Sequence, residues 1–365
     1  MKYYKLKNLL SVFRNGATIK QTKNSSGVPI SRIETISNGT IDFNKVGYAD
    51  IYNDNYKEYY LQDGDILFSH INSIPHLGKC AIFQNTDKTL IHGMNLLLLR
   101  ANKNILSKYL FYLLKSKPFR AKLPTITKKS VNQASLSITN LGDIDVCICS
   151  LDEQQRIVNI LDKAEEIRTK KKLANEKLDE FLKSTFIDMF GDPVINSKQL
   201  PKVKLSDMGT LVRGKSKHRP RNAPELLNGP YPLIQTGDVA NSGLYLKTYN
   251  QTYSEMGLKQ SKMWKAGTLC ITIAANIAKT SILTFDACFP DSIVGFTNSD
   301  KCSIHYIQFW LMFLQAVLEA EAPQSAQKNI NLEILNSLEL PYPPIEQQNQ
   351  FAQIVQKVEA QKEKN

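Results

Sequence analysis

The chain has 365 residues, 46 Lys+Arg against 34 Asp+Glu, a formal charge of +12 and a pI near 9.2. It is too long for one ordinary core, its 42% apolar content is that of a globular protein, and its basicity favours an acidic partner such as nucleic acid or a membrane surface. "NLLSVF" is too short for a secretory signal and "FWLMFLQAVL" is half a membrane span; the six cysteines and five histidines form neither C-x-x-C nor H-E-x-x-H, so a cytoplasmic protein with reduced thiols and no zinc is expected.

In chain order, residues 1–150 hold short β-type runs such as "KCAIF" (79–83) and "NLLLLR" (95–100), a helical "LSKYLFYLLKS" (106–116), a polar loop at 125–130 and a final strand. This segment carries +10, from 20 basic and 10 acidic side chains. Next comes a helix from about Asp152 to Phe190, with an apolar seam Ile157, Ile160, Ala164, Ile167, then Lys171, Ala174, Leu178, Phe181 in alternating steps of three and four. Gly191 and Pro193 of "FGDP" close it. Residues 193–343 again mix short strands such as "GTLCITI" and "SILTF" with a helix, and residues 191–344 carry +3. From 344 a short helix repeats the seam as Phe351, Ile354, Val355 and Val358, which suits it to pair with the first.

"GTLVRGKS", residues 209–216, fits the phosphate-binding pattern G-x-x-x-x-G-K-[ST]. A working loop of that kind opens a helix, whose free N–H groups cradle the phosphates. Here Pro220 and Pro224 follow, and each would cost about 3 kcal/mol inside a helix. A nucleotide site is therefore disfavoured, although P-loop binding through 209–216 stays the alternative.

The chain also repeats itself. Tyr4-Lys5-Leu6 recurs as Val203-Lys204-Leu205, "ISNGTI" (36–41) answers "VANSGL" (239–244), and Glu153-Gln154-Gln155 answers Glu346-Gln347-Gln348. The counterpart of the phosphate pattern is Arg14-Asn15-Gly16-Ala17, which keeps one glycine, expected to serve a turn of positive φ. Each copy is predicted to be α+β with a bent antiparallel sheet, giving two homologous domains separated by a long helix with a coiled-coil-like seam.

Polar and basic loops at matching places are candidates for DNA, amides and hydroxyls for base edges and cations for phosphates. They are Lys20, Lys23, Arg32, Ser69, His70, Lys128, Lys129 and Asn132 in the first copy. In the second they are a flexible basic loop of Lys215, Lys217, Arg219 and Arg221, with Thr236, Asn276, Gln324, Ser325, Gln327, Lys328 and Asn329. Solvated surface loops and plain linkers are the competing reading.

Two non-identical basic domains, each followed by an E-Q-Q helix start, with "LDEQQRIVNILD" (151–162), "MFGDP", "GPYPLIQTGDV" (229–239), "QSAQKNINLEIL" (324–335) and "LPYPPIEQQ" (340–348), resemble the specificity (S) subunit of type I restriction-modification enzymes. The resemblance implies target-recognition domains at 1–150 and 193–343, each reading half of a split site in double-stranded DNA. It implies a spacer helix at 151–192 and a distal helix at 344–365, long antiparallel coiled-coil-like helices that hold them apart and dock methyltransferase subunits, for which Leu161, Leu182 and Phe186 flanking the seam are the candidate residues. It further implies restriction subunits as partners. The chain has no N-P-P-F or D-P-P-Y tetrad, no Gly-rich adenosylmethionine loop and no paired-carboxylate nuclease signature. It is thus expected to be non-catalytic, with S-adenosylmethionine, ATP and Mg on the partner subunits; a DNA-bridging structural protein is the remaining alternative.

Overall fold

A computed structural model describes residues 2–22, 27–51, 54–84, 87–129, 134–274, 276–321 and 330–365. The chain forms two compact units, Met1–Thr169 and Lys170–Asn365, and the division falls inside one continuous 40-residue helix, Leu151–Phe190. The helix agrees with the span expected from sequence.

The first unit is built on an antiparallel sheet in the order Leu10–Asn15, Leu96–Ala101, Ile66–Ser69, Cys80–Ile82. Its central strands read as unbroken apolar runs because both faces are covered. Ile66, Phe68, Leu97 and Leu99 pack with Leu110 and Leu114 of the helix Ser107–Lys115, while Leu67, Leu96 and Leu98 pack on the other side with Ile36 and Leu61. Successive side chains thus feed alternate cores. Lys2–Lys5 pairs antiparallel with Asp145–Ile148, so the start of the unit lies beside the strand that enters the long helix.

The second unit repeats this plan with the sheet order Gly209–Arg213, Ile293–Asn298, Leu269–Thr272, Thr280–Leu283, Tyr245–Leu246, and with Lys202–Lys204 paired to Glu339–Pro341. Against it packs the helix Ile304–Glu321, and the unit ends in the helix Ile345–Lys364.

A buried glutamine ties each unit to the helix that follows it. Gln154 accepts the Leu106 N–H at 2.9 Å and donates to the Cys149 carbonyl at 3.0 Å; Gln348 accepts the Ser303 N–H at 3.0 Å and donates to the Pro343 carbonyl at 2.9 Å. Both are fully buried. The structural equivalence is therefore Gln154 with Gln348, one residue away from the letter match of the two E-Q-Q triplets.

The seam expected on the long helix is not its buried face. Ile160, Ile167 and Phe181 are 61, 56 and 52% exposed, and Ala164 and Lys171 are exposed as well. Burial falls instead on Leu182, Phe186 and Phe190, a row at spacing four that meets Tyr306, Phe309 and Phe351. Phe186 stacks on Tyr306 and Phe313 at 5.5 and 5.3 Å and meets Phe351 edge-on at 5.3 Å. A spacing-four ridge seats in the grooves of a neighbouring helix, and two phenylalanines bury more apolar area there than the rival row would. Leu182 and Phe186, expected to face a methyltransferase, are accordingly core residues. Leu161 is half-buried. The distal helix does bury Phe351, Val355 and Val358, as its repeat of the seam suggested.

Candidate nucleic-acid interface

In the first unit the strand Val28–Ile30 runs through Ser31 into an extended Arg32 and then the turn Ile33–Ile36. The Arg32 N–H donates to Thr35 Oγ1 at 2.8 Å, closing the turn. Its Nε donates to Gln21 Oε1 at 2.9 Å, and a terminal nitrogen lies 3.2 Å from Glu34. Arg32 and Gln21 line a groove of about 490 Å³ with Ser69, Asn72, His76 and Asn95. Asn72 donates to Ser69 Oγ at 3.3 Å and sits in Ile71–Asn72, which pairs with Ala134–Leu136, itself paired with Thr127–Lys129. Register places Lys129 opposite Ala134 and Ala134 opposite Asn72, so the exposed Lys128 and Lys129 flank the groove through one intervening strand. Lys20 is exposed beside its lining residues Ile19 and Gln21.

His70, expected at the surface, is 7% exposed, and burial holds its ring below the usual histidine pKa. Its carbonyl accepts the Leu136 N–H at 2.8 Å, so it joins the sheet to the hairpin rather than facing the groove. Lys23, Asn132, Gln324, Ser325, Gln327, Lys328 and Asn329 lie outside the described residues.

In the second unit the motif at 209–216 is a strand, Gly209–Arg213, followed by irregular chain with no helix. Gln260 Oε1 accepts the Lys217 and His218 N–H groups at 2.6 and 3.1 Å, and Ser261 Oγ donates to the Lys215 carbonyl at 2.9 Å. Ser216 is buried, so its hydroxyl is not presented to a metal–nucleotide complex. Without a helix N-terminus the phosphate cradle is missing, and the nucleotide-binding alternative falls. The loop is also more fixed than expected: Arg219 and Arg221 both pair with Asp291, and they stay exposed, as Lys215 and Lys217 are.

The glycine shared by both copies needs close approach, not positive φ. A Cβ on Gly16 would lie 2.0 Å from the Gly93 carbonyl oxygen, and one on Gly214 would lie 2.3 Å from that of Pro290. Neither residue is among those of positive φ.

Thr236 opens the short helix Thr236–Asn241, half-buried, and Asn276 is exposed in the turn after Leu269–Thr272. Beside Thr236 lies a cleft of about 470 Å³ lined almost wholly by polar side chains, among them Gln235, Asp238, Asn241, Asn250 and Gln251. Gln235 donates to Gln251 Oε1 at 3.2 Å and Asn250 to Asp238 at 2.8 Å. Amide-lined clefts present both donors and acceptors, the chemistry of base edges. Gln21, Asn72, Asn95, Gln235, Asn250 and Gln251 escaped the sequence reading, which took amides only from a few polar loops; Gln21, Asn72 and Gln251 lie in strands and reach their sites only through strand pairing.

Among the described residues no group of His, Cys, Asp and Glu is arranged to hold a metal ion, and no helix is long and apolar enough to cross a membrane.

The model of the type I restriction modification DNA specificity domain matches twice, over residues 1–177 and 198–365. A putative type I restriction enzyme MjaX specificity subunit from Methanocaldococcus jannaschii is 33% identical over 365 residues, covering 95% of this chain and 84% of that protein. The EcoKI specificity subunit of Escherichia coli is 26% identical over 153 residues, 41% of this chain and 33% of that protein. The fold resembles the S subunit of a type I restriction-modification system from M. genitalium, with a TM-score of 0.57 and 12% identity over 100% of this chain and 90% of that one. It also resembles a chain from a structure describing complex assembly and conformational transition of the type I R-M system, with a TM-score of 0.52 and 17% identity over 99% of this chain and 92% of that one.

Proposed function

Since the chain belongs to the type I restriction-modification DNA specificity family, present in it as two copies of one domain, we propose that each unit reads one half of a bipartite site in double-stranded DNA. The observation that carries this reading is a groove with hydrogen-bonding side chains set beside the same strand-to-turn junction in each copy: Arg32 and Gln21 in the first, Gln235 and Gln251 in the second. The lysines Lys20, Lys128, Lys129, Lys215 and Lys217 supply sequence-independent phosphate contacts around these grooves. The chain acts in the cytoplasm and performs no chemistry itself. Methyltransferase subunits carrying S-adenosylmethionine, and restriction subunits using ATP and Mg, act where it binds. With Leu182 and Phe186 in the core, methyltransferase docking falls to the exposed apolar residues of the long helix, Ile160 and Ile167 beside Leu161.

Exchanging residues 1–150 for the corresponding domain of another family member tests the reading. Methylome sequencing of cells carrying the exchange should show one half-site replaced and the other unchanged. A change in both halves, or a continuous recognised sequence with no unread gap, would refute it.

A further inference from the structure

The duplication gives an internal control on which side chains do the reading. In the first unit Ile30 pairs with Gly47; in the second Leu233 pairs with Gln251. Two residues beyond Ile30 and Leu233 stand Arg32 and Gln235. Both are extended, at φ −123° and −106°, and each donates its backbone N–H to the side chain three residues on, Thr35 and Asp238, at 2.8 Å in both cases. They occupy one position of a common frame.

What holds these two side chains is also common, although its source differs. In the second unit Gln251 itself supplies the oxygen that receives Gln235 Nε2. In the first unit the paired position is Gly47, and Gln21 from the next strand reaches into the vacated space: a Cβ on Gly47 would lie 2.4 Å from Gln21 Oε1, the atom that receives Arg32 Nε. A glutamine oxygen therefore clamps the side chain in both copies, delivered from different strands. Each clamp orients its side chain without consuming it. Arg32 keeps terminal N–H groups beyond the one near Glu34, and Gln235 keeps a second N–H and its own oxygen.

Resting on the half-site reading above, we propose that Arg32 and Gln235 are equivalent base-reading residues that give the two half-sites different letters. A guanidinium matches the two acceptors of guanine, O6 and N7, while a glutamine amide matches the acceptor–donor pair of adenine, N7 and N6. The half-site of the first unit then carries a guanine where that of the second carries an adenine.

The test uses the complex with its methyltransferase, whose wild-type site is first fixed by methylome sequencing, and then Arg32→Gln and Gln235→Arg. Arg32→Gln should change a required guanine to adenine at one position of the first half-site, with a preference shift of about 10- to 100-fold, and leave the second half-site untouched. Gln235→Arg should do the converse. Arg32→Lys, which keeps the charge but not the planar fork, should relax the same position, and it carries the test if circular dichroism shows Arg32→Gln unfolded. Unchanged base preference at every position in these variants, or an equal loss on all sequences as for a phosphate contact, would overturn the assignment while leaving the half-site reading intact. If the wild-type complex has no bipartite site, that reading fails and this one with it.

Discussion

The glutamine latches put the two units into register, and they then differ in how they hold the long helix. Three residues beyond Gln348 stands Phe351, and three and six beyond Ser303 stand Tyr306 and Phe309; this face is filled by Leu182, Phe186 and Phe190. The equivalent residues of the first unit, Ile157, Tyr109 and Tyr112, are only half-buried. There the helix is engaged through polar groups: Asp162 accepts from Lys108 Nζ at 2.6 Å and from the Tyr112 hydroxyl at 2.7 Å. One unit grips by aromatic packing, the other by a half-buried polar cluster around a carboxylate. The difference teaches that a duplicated frame fixes backbone and latch while the surface beside it diverges, as Arg32 and Gln235 do in the grooves.

Truncating Phe186 breaks this comparison most severely. Phe186→Ala removes a fully buried ring that touches five other aromatic side chains, and a loss of about 3–5 kcal/mol from the second unit is expected. Ile160→Ala, on the same helix but exposed, should stay within about 0.5 kcal/mol of the parent. Denaturant midpoints of the two variants measure both. A Phe186→Ala protein as stable as the parent would show that the aromatic row is not core.

That pair of residues also marks what the sequence could and could not disclose. The duplication, the long helix and its end at Phe190 were legible, because repeated letters and helical periodicity, broken only at Lys171, are local properties. Which row of the helix is buried was not. In the second unit's part of the helix Phe181 and Phe186 are both large apolar candidates, and only the position of Tyr306, Phe309 and Phe351 decides between them. The role of Gly16 and Gly214 was hidden for the same reason, since the crowding carbonyls lie some 76 residues away along the chain in both copies. In the grooves, Arg32 and Ser69 were named from sequence, but their partners Gln21 and Asn72 came only with the fold.

The latches allow a second, smaller perturbation that should act alike in both units. Gln348→Ala leaves the Ser303 N–H and the Pro343 carbonyl without the partner they now have, and Gln154→Ala does the same to Leu106 and Cys149. Leaving such buried groups unpaired costs about 1–3 kcal/mol. Hydrogen exchange should show faster exchange at the Ser303 or Leu106 amide, each in its own unit. Equal protection in variant and parent would mean that the amide does not latch the helix.

Acid sharpens the comparison with the smallest effect. Where Gly214 packs on the backbone of Phe289 and Pro290, Gly16 packs on that of His92 and Gly93, so the first copy buries a histidine at this crossing. His92 Nε2 lies 2.9 Å from the Leu96 carbonyl oxygen. Burial foremost, with Arg14 and His70 adding to it and Leu96 and Asp65 opposing, brings its pKa down from 6.5 to about 4. Between those values the unfolded chain binds a proton that the folded chain refuses. The stability is therefore fully present above about pH 6.5 and is lost as pH falls toward 4, by about 1.4 kcal/mol per pH unit. His70 and His305 are also held low by burial, so wild-type acid sensitivity alone does not isolate His92. Comparison with His92→Gln does. Between pH 6.5 and 5.5 the denaturant midpoint of the parent should fall further than that of His92→Gln by the equivalent of about 1 kcal/mol. Parallel pH profiles would mean that His92 is protonated in the fold and that the crossing tolerates charge.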